Sequence, residues 1–320
     1  MDLGTVGTAL VVIVGVPAAT VLFIVLVERL LGFLPERRRR GVRPWLWLLP
    51  AFGFLGVFLV YPTIKTMILS LMDDRSESFV GTENYTSLVG QTSFWQAVVN
   101  NALWIVLFTS VVLIFGLIVA VLADRVRYET AVKALIFLPL AISFVAAGVI
   151  WNFMYAFDPD IGTLNAAGNA IGAEPVSWLT EWPRNTLMII IVGVWMWVGF
   201  AMVILSAGLK GISVELLEAA RIDGANELQV FFRIILPLLM PTIAVVGTTI
   251  VITALKTFDL VYVMTAGNFN TDVLANRFYQ ERFINRDAGM AAAVAVILLV
   301  AIIPVMIVNI RRFRSQEAMR

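Results

Sequence analysis

S-V-E-L-L-E-A-A-R-I-D-G-A-N-E-L-Q-V-F-F-R-I-I-L-P-L-L-M-P, residues 213–241, is a charged, helix-forming stretch set between long apolar runs and broken in its middle by a glycine. Ser213 can cap a short helix by accepting from an orphan backbone N–H. Residues 214–222 are mostly good helix formers, and Gly224 suits the left-handed position just past a helix end. Asn226 can cap a second helix that runs to Pro237, where an apolar span takes over. The expectation is a helix–turn–helix lying along the membrane, with Leu216, Leu217, Ala220 and Ile222 apolar on its first arm. Two readings compete for it. An amphipathic helix resting in the lipid interface calls for bulky apolar groups opposite a Lys/Arg-rich face. Here small Ala residues sit mid-arm beside acidic Glu215, Glu218 and Asp223, which favours a tight contact with another protein.

The surrounding chain has 320 residues, 60% hydrophobic and 14% charged, with a mean hydropathy of +0.91. Soluble domains run closer to a quarter charged. Its apolar runs are long rather than alternating, so the fold class is all-α integral membrane, not a barrel. The absence of Cys and His excludes disulfides, thiol nucleophiles, imidazole bases and most zinc sites. The net charge of +1 carries no sign of nucleic acid as a partner.

A hydrocarbon core about 30 Å thick needs roughly 20 apolar residues per helix. Seven transmembrane helices are predicted, at 6–31, 45–71, 97–123, 134–157, 185–209, 237–258 and 288–310. The first has no basic start, too long an apolar run and no A-x-A site, and reads as a retained helix rather than a signal peptide. Arg29, Arg37–Arg40, Arg43, Arg125, Arg127, Lys133, Lys210, Arg221, Arg233, Arg311, Arg312, Arg314 and Arg320 all fall on one side of a seven-span chain. Acidic residues gather opposite them. By the positive-inside rule the C-terminus is cytoplasmic and the N-terminus external. Trp45 and Trp47 mark an inner interface; Trp95, Trp151, Tyr155, Trp178 and Trp182 gather near the outer one. Pro50, Pro62, Pro139 and Pro304 mark kinks or tune packing. The Arg37–Arg40 run reads as a topology anchor near anionic membrane lipid.

The 213–241 stretch resembles the EAA loop by which membrane subunits of ABC importers engage their ATPase. Glu218-Ala219-Ala220, Asp223-Gly224-Ala225, Phe232, Ile234 and Leu236-Pro237 carry the likeness. The similarity extends over roughly 45–312. It includes L-L-P-A at 48–51, F-V-G-T-E-N-Y at 79–85, F-W-Q-A-V-V-N-N-A at 94–102, F-L-P at 137–139 and I-G-T-L-N at 161–165. Together these resemble the maltose-type permeases of carbohydrate ABC importers. F-D-L-V-Y-V-M-T at 258–265 looks like the first of the two paired permeases, and A-I-S-F-V-A-A-G-V-I-W-N-F at 141–153 is similar to α-glucoside permeases.

The resemblance implies three regions: an extra N-terminal helix with a basic linker (1–44), a six-helix permease core (45–312) with its coupling loop at 213–236, and a cytoplasmic tail (313–320). It further implies a homologous second permease, two copies of a cytoplasmic ATPase holding ATP and Mg, and an external sugar-binding protein, in a bacterial or archaeal plasma (inner) membrane. ATPase coupling would fall to Glu218, Ala219, Ala220, Asp223, Gly224, Ala225, Leu236 and Pro237. This chain itself shows no G-x-x-x-x-G-K-[ST] motif, so it is not expected to be an enzyme or to hold a cofactor or metal.

A neutral sugar asks for hydrogen-bonding groups and aromatic faces. The substrate-path candidates are Asn152, Tyr155, Trp195, Trp197, Thr249, Thr253, Lys256, Asp259 and Tyr262. An ionised group at mid-membrane costs about 2.5–3.5 kcal/mol on insertion scales. Lys256 and Asp259, three apart, can pair on one helix face; equally, they can sit at the outer end of span six, with Lys snorkelling and Asp in water. The Trp195–Trp197 pair fits packing as well as stacking. The polar stretch 263–287 reads as irregular and external, fit to touch the binding protein or gate the cavity. Trehalose, maltose, other α-glucosides, glucosylglycerol and glycerol 3-phosphate are the substrates open. An ion-coupled secondary transporter calls for acids in several spans, and an intramembrane enzyme for a nucleophile and base. Here mid-span acids are almost absent, and there is no Cys, no His and no visible carboxylate cluster.

Overall fold

The computed structural model describes the backbone of residues 3–124 and 126–317, and the side chains of 7–8, 12–15, 17–124 and 126–307. The chain divides into two compact units, Met1–Lys65 and Thr66–Arg320. Among the described residues six helices are long and apolar enough to cross a bilayer, and a bent pair brings the number to seven.

The first unit holds α1 (Leu3–Gly32) and most of α2 (Glu36–Leu69). Glu28 of α1 accepts from Arg39 at 3.2 Å and Arg43 at 2.8 Å, so one carboxylate pins the start of α2. Val27 and Leu31 are buried, and Phe23 meets Trp47 edge-on at 6.0 Å. A π-turn at Gly56–Val60 interrupts α2 just before Pro62. It opens the backbone where the proline ring would otherwise strike the carbonyl four residues back.

The second unit continues with α3 (Glu83–Val89), α4 (Thr92–Ala123), α5 (Glu129–Ala141), α6 (Phe144–Met154), α7 (Thr163–Ala170) and α8 (Arg184–Lys210). There follow α9 (Val214–Ile222), α10 (Glu227–Leu255), α11 (Asp259–Thr265), α12 (Leu274–Tyr279) and α13 (Ala288–Glu317). Helix α8 is the post around which the others pack, with Ile189, Val192, Met196, Met202 and Leu205 buried along it. Small residues let backbones approach, as membrane packing requires. A Cβ on Gly116 of α4 would lie 2.6 Å from the Ala201 Cβ, and one on Gly199 would lie 2.5 Å from the Ile136 carbonyl oxygen.

Two expectations are corrected here. Span four, read as one helix over 134–157, is the pair α5 and α6, bent by 97°. Pro139 tightens the last turn of α5 into a 3-10 segment, Leu138–Ala141. Ser143 then starts a new helix by accepting from Ala146 N–H at 3.1 Å. The proline cannot donate, and the new cap offers the chain a fresh direction. Second, the arm beginning at Asn226 does not end at Pro237. It runs unbroken into span six as α10, because a π-turn at Phe231–Ile235 opens the backbone at Arg233, the carbonyl facing the Pro237 ring.

Candidate functional site

The corner between α9 and α10 is built from local chemistry. Ser213 Oγ accepts from Leu216 N–H at 3.4 Å and donates to the Glu215 carboxylate. That second bond holds the Glu215 carboxyl below its usual range. At the other end of α9, Ala225 N–H reaches Ala220 O at 3.0 Å and Gly224 N–H reaches Arg221 O at 3.1 Å. With Gly224 at φ +85°, this is a Schellman closure, open to glycine and costly for most other residues. Asn226 and Gln229 exchange side-chain and backbone bonds at 2.9 Å in a capping box. Arg221 closes the bend on Glu227 at 2.8 Å, a contact that raises the Arg221 pKa.

A rigid corner therefore carries bare apolar groups. Ile222 is 86% exposed and Leu228 69%, with Leu216 and Val214 exposed as well. Glu218, Ala219, Asp223, Gly224 and Pro237 are exposed, whereas Ala220, Ala225 and Leu236 are half-buried. The outward alanine of the E-A-A triplet is thus Ala219.

At the far end of α10 the helix stops at Leu255, and Lys256–Phe258 are not helical before α11 begins. Beside this break lies a cavity of about 200 Å³, lined from α4 by Trp104 and Phe108, from α8 by Gly193 and Trp197, from α6 by Phe144, from α10 by Thr253, from the break by Lys256, and from α11 by Asp259. Gly193 matters because a Cβ there would sit 2.9 Å from the Trp104 ring. Phe144 is the first residue after the bend in span four, so the cavity lies between two interrupted spans. Non-helical backbone at membrane depth is tolerated where protein or a cavity surrounds it, and discontinuous spans mark substrate sites in other transporters. Trp104 is 2% exposed, and neither its indole N–H nor that of Trp197 has a hydrogen-bond partner among the described residues. The lining also offers a cation, a carboxylate and two hydroxyl-bearing threonines, Thr253 and Thr257.

Of the substrate-path candidates, Trp197, Thr253, Lys256 and Asp259 meet at this cavity. Lys256 and Asp259 form no ion pair with each other: the helix that would align them ends between them, which corrects the expectation of a shared face. Tyr262 stands just outside, half-exposed, its ring 5.2 Å from Phe258 and 4.9 Å from Tyr279. The other four lie elsewhere. Asn152 donates to Val263 O at 3.1 Å and ties α6 to α11. Tyr155 is buried, with its hydroxyl on Met188 O at 3.2 Å. Trp195 packs edge-on against Trp151 at 5.6 Å. Thr249 is exposed and bonds back to Val245 O. Trp104 and Phe144 were missed by sequence reasoning. Trp104 and Phe108 sit one helical turn apart, but nothing in an apolar run says which ring faces a cavity.

The stretch 263–287 is ordered rather than irregular. Asn100 donates to Asn270 O at 2.7 Å and Asp272 O at 2.8 Å, Asn185 donates to Phe269 O at 2.8 Å, and Asn101 accepts from Leu274 N–H at 2.8 Å. These amides pin a turn whose Ala266, Gly267, Phe269 and Asn270 all have positive φ. Burial pushes the Asp272 carboxyl upward, against the bond it accepts from Asn276. Replacing Asn100 with Leu strands the buried Asp272 carbonyl, worth about 1–3 kcal/mol, and releases the Asn270 carbonyl. Limited proteolysis of that variant is expected to cut within 263–287, where the parent chain resists.

Residues 112–311 match the family described as binding-protein-dependent transport system inner membrane component. The chain is 49% identical to the osmoprotective compounds uptake permease protein GgtC of Synechocystis sp., over 86% of this chain and 100% of that protein. It is 44% identical to the alpha-glucoside transport system permease protein AglF of Rhizobium meliloti, over 86% of this chain and 83% of the relative. A solved bacterial ABC transporter involved in the import of the acidic polysaccharide alginate has a chain of the same fold, with a TM-score of 0.75 and 24% identity over 87% of this chain and 99% of that one. With a multi-pass helical body, a stiff exposed corner and a family match across most of the second unit, this chain belongs to the inner membrane components of binding-protein-dependent transport systems and is a permease of the ABC importer class.

Proposed function

We propose that this chain forms half of the translocation pathway of an ATP-driven importer for α-glucosides or small glycosylated osmoprotectants. A homologous second permease supplies the other half. Two copies of a separate cytoplasmic ATPase hold ATP and Mg, and an external binding protein delivers the solute. The C-terminus and the α9–α10 corner face the cytoplasm, and the N-terminus faces outward.

The observation that carries this reading is the corner at 213–230. It is fixed by two caps and an ion pair, yet Ile222 and Leu228 stay exposed among the described residues. A surface built to lie in lipid has no need of such rigidity, whereas a helix seated in a groove of another protein does. The name of the alpha-glucoside relative favours a glycoside, and the cavity's charge balance supports a neutral solute. One cation and one carboxylate leave the cavity without net charge, and its threonines and aromatic rings suit a sugar. A phosphorylated solute such as glycerol 3-phosphate asks for an excess of cations. Closure of the ATPase dimer would move the corner and switch the cavity between inward and outward access.

Ala219→Trp tests the docking. The substitution places a bulky ring on the exposed face of α9, where it interrupts nothing inside this chain. Detergent-extracted complex is expected to retain less than roughly a tenth of its ATPase, a loss of about 1.4 kcal/mol or more. Unchanged co-purification would instead favour a corner resting in the lipid interface.

A further inference from the structure

We propose that Lys133 is a positioning residue for transport: it makes the inner half of the broken fourth span follow the α9–α10 corner. This rests on the functional reading above. Lys133 lies on α5 and is 16% exposed in its side chain. It binds Asp124 at the end of α4, Glu129 one turn back at 2.6 Å, and Ser206 Oγ on α8. Ser206 in turn donates to Asp124 at 2.8 Å, and Lys210 of α8 pairs with Glu129. Two cations, two carboxylates and a hydroxyl thus join three helices at one point.

The position of that point is what gives it a role. Helix α8 ends at Lys210, and its connector to α9 is not slack, since Gly211 N–H and Ile212 N–H bond back to Gly208 O at 3.2 Å and Leu209 O at 3.1 Å. A displacement of α9 therefore reaches the end of α8 directly. There α5 is held by Lys133 on Ser206, by Glu129 on the exposed Lys210, and two turns away by the backbone of Ile136 and Phe137 against Gly199. Helix α5 then enters the bend, beyond which Phe144 lines the cavity. Without Lys133, α5 keeps a steric contact, which resists approach, and the solvent-exposed Lys210–Glu129 pair, which is worth little, but loses the more buried of its two polar links to α8. Asp124 and Glu129 would also be left with one cation fewer in a partly buried place, which drives them apart.

The test uses the assembled importer in vesicles with its ATPase, second permease and binding protein. The probe is whichever of maltose, trehalose and glucosylglycerol the parent complex accumulates. Lys133→Met is expected to keep the ATPase attached and hydrolysing, but to lower solute moved per ATP roughly tenfold; Lys133→Arg should restore most of that ratio. Ser206→Ala removes only the hydroxyl bridge and should lower the ratio about two- to threefold, so it decides the matter should the methionine variant fail to assemble. An unchanged ratio in either variant with the ATPase bound overturns the proposal alone. An Ala219→Cys complex, otherwise unaltered, that forms no crosslink to the ATPase with a thiol–amine reagent removes the functional reading, and the proposal with it.

Discussion

Gly224→Pro should yield a complex that hydrolyses ATP without accumulating solute. Gly224 closes α9 at φ +85°, while proline is locked near −65°. The substitution also deletes the N–H that reaches Arg221 O at 3.1 Å, and turns the chain away from the Ala225-to-Ala220 bond. Pro at an incompatible position costs more than the ~1 kcal/mol it gains elsewhere. Here the cost falls on the angle of an exposed corner rather than on the buried body, so insertion and helix content should survive. Uptake and ATP hydrolysis measured on the same vesicles check the result. Gly224→Asn is the control, because asparagine tolerates the left-handed region. Normal accumulation by the proline variant would show that the corner's angle carries no force.

Gly199→Leu should prevent the second unit from assembling. A Cβ at this position would lie 2.5 Å from the Ile136 carbonyl oxygen and 2.6 Å from the Phe137 Cα. Both obstacles are backbone, so no side chain can swing aside; α5 must move off α8, taking Lys133 with it. Overpacking of this kind costs roughly 3 kcal/mol, the upper part of its usual range. Thermal unfolding in detergent should show a large loss of stability or no monodisperse protein at all. Gly53→Ala, where an added Cβ meets nothing within 4 Å, is the matched neutral change. A well-folded Gly199→Leu protein would mean that α5 is not seated on α8.

What the sequence disclosed follows from the range of the forces involved. Ser213, Gly224 and Asn226 act on residues two to five positions away, so their roles in the corner were readable from spacing alone. The long apolar runs likewise declare the spans. The interrupted fourth span was half-readable. Pro139 marked the place, but a bend of 97° depends on Ser143 recapping the chain and on α5 and α6 finding separate partners. The cavity was the least accessible part. Trp195 and Trp197 are two residues apart on a helix that is hydrophobic all round, so no pattern says that one packs against Trp151 and the other lines a hollow. Of the two readings open for Lys256 and Asp259, pairing on one face required the helix to continue past Leu255, which it does not. Lys133 passed as one more basic residue on the inner side, since its partner Ser206 lies 73 positions away. Residues 263–287 looked irregular for the same reason: Asn100 sits 170 positions from the carbonyl it holds.

Helix α10 spans 29 residues from Glu227 to Leu255, about 43 Å at the usual rise of 1.5 Å per residue. It is a single torsion shaft, with the capping box at one end and the Lys256 break at the other. A few degrees of roll applied at Asn226 would arrive beside Thr253, and the non-helical backbone at 256–258 would let it end there instead of dragging α11 along. Solute would then feel a motion begun a full bilayer away, with no messenger crossing the gap.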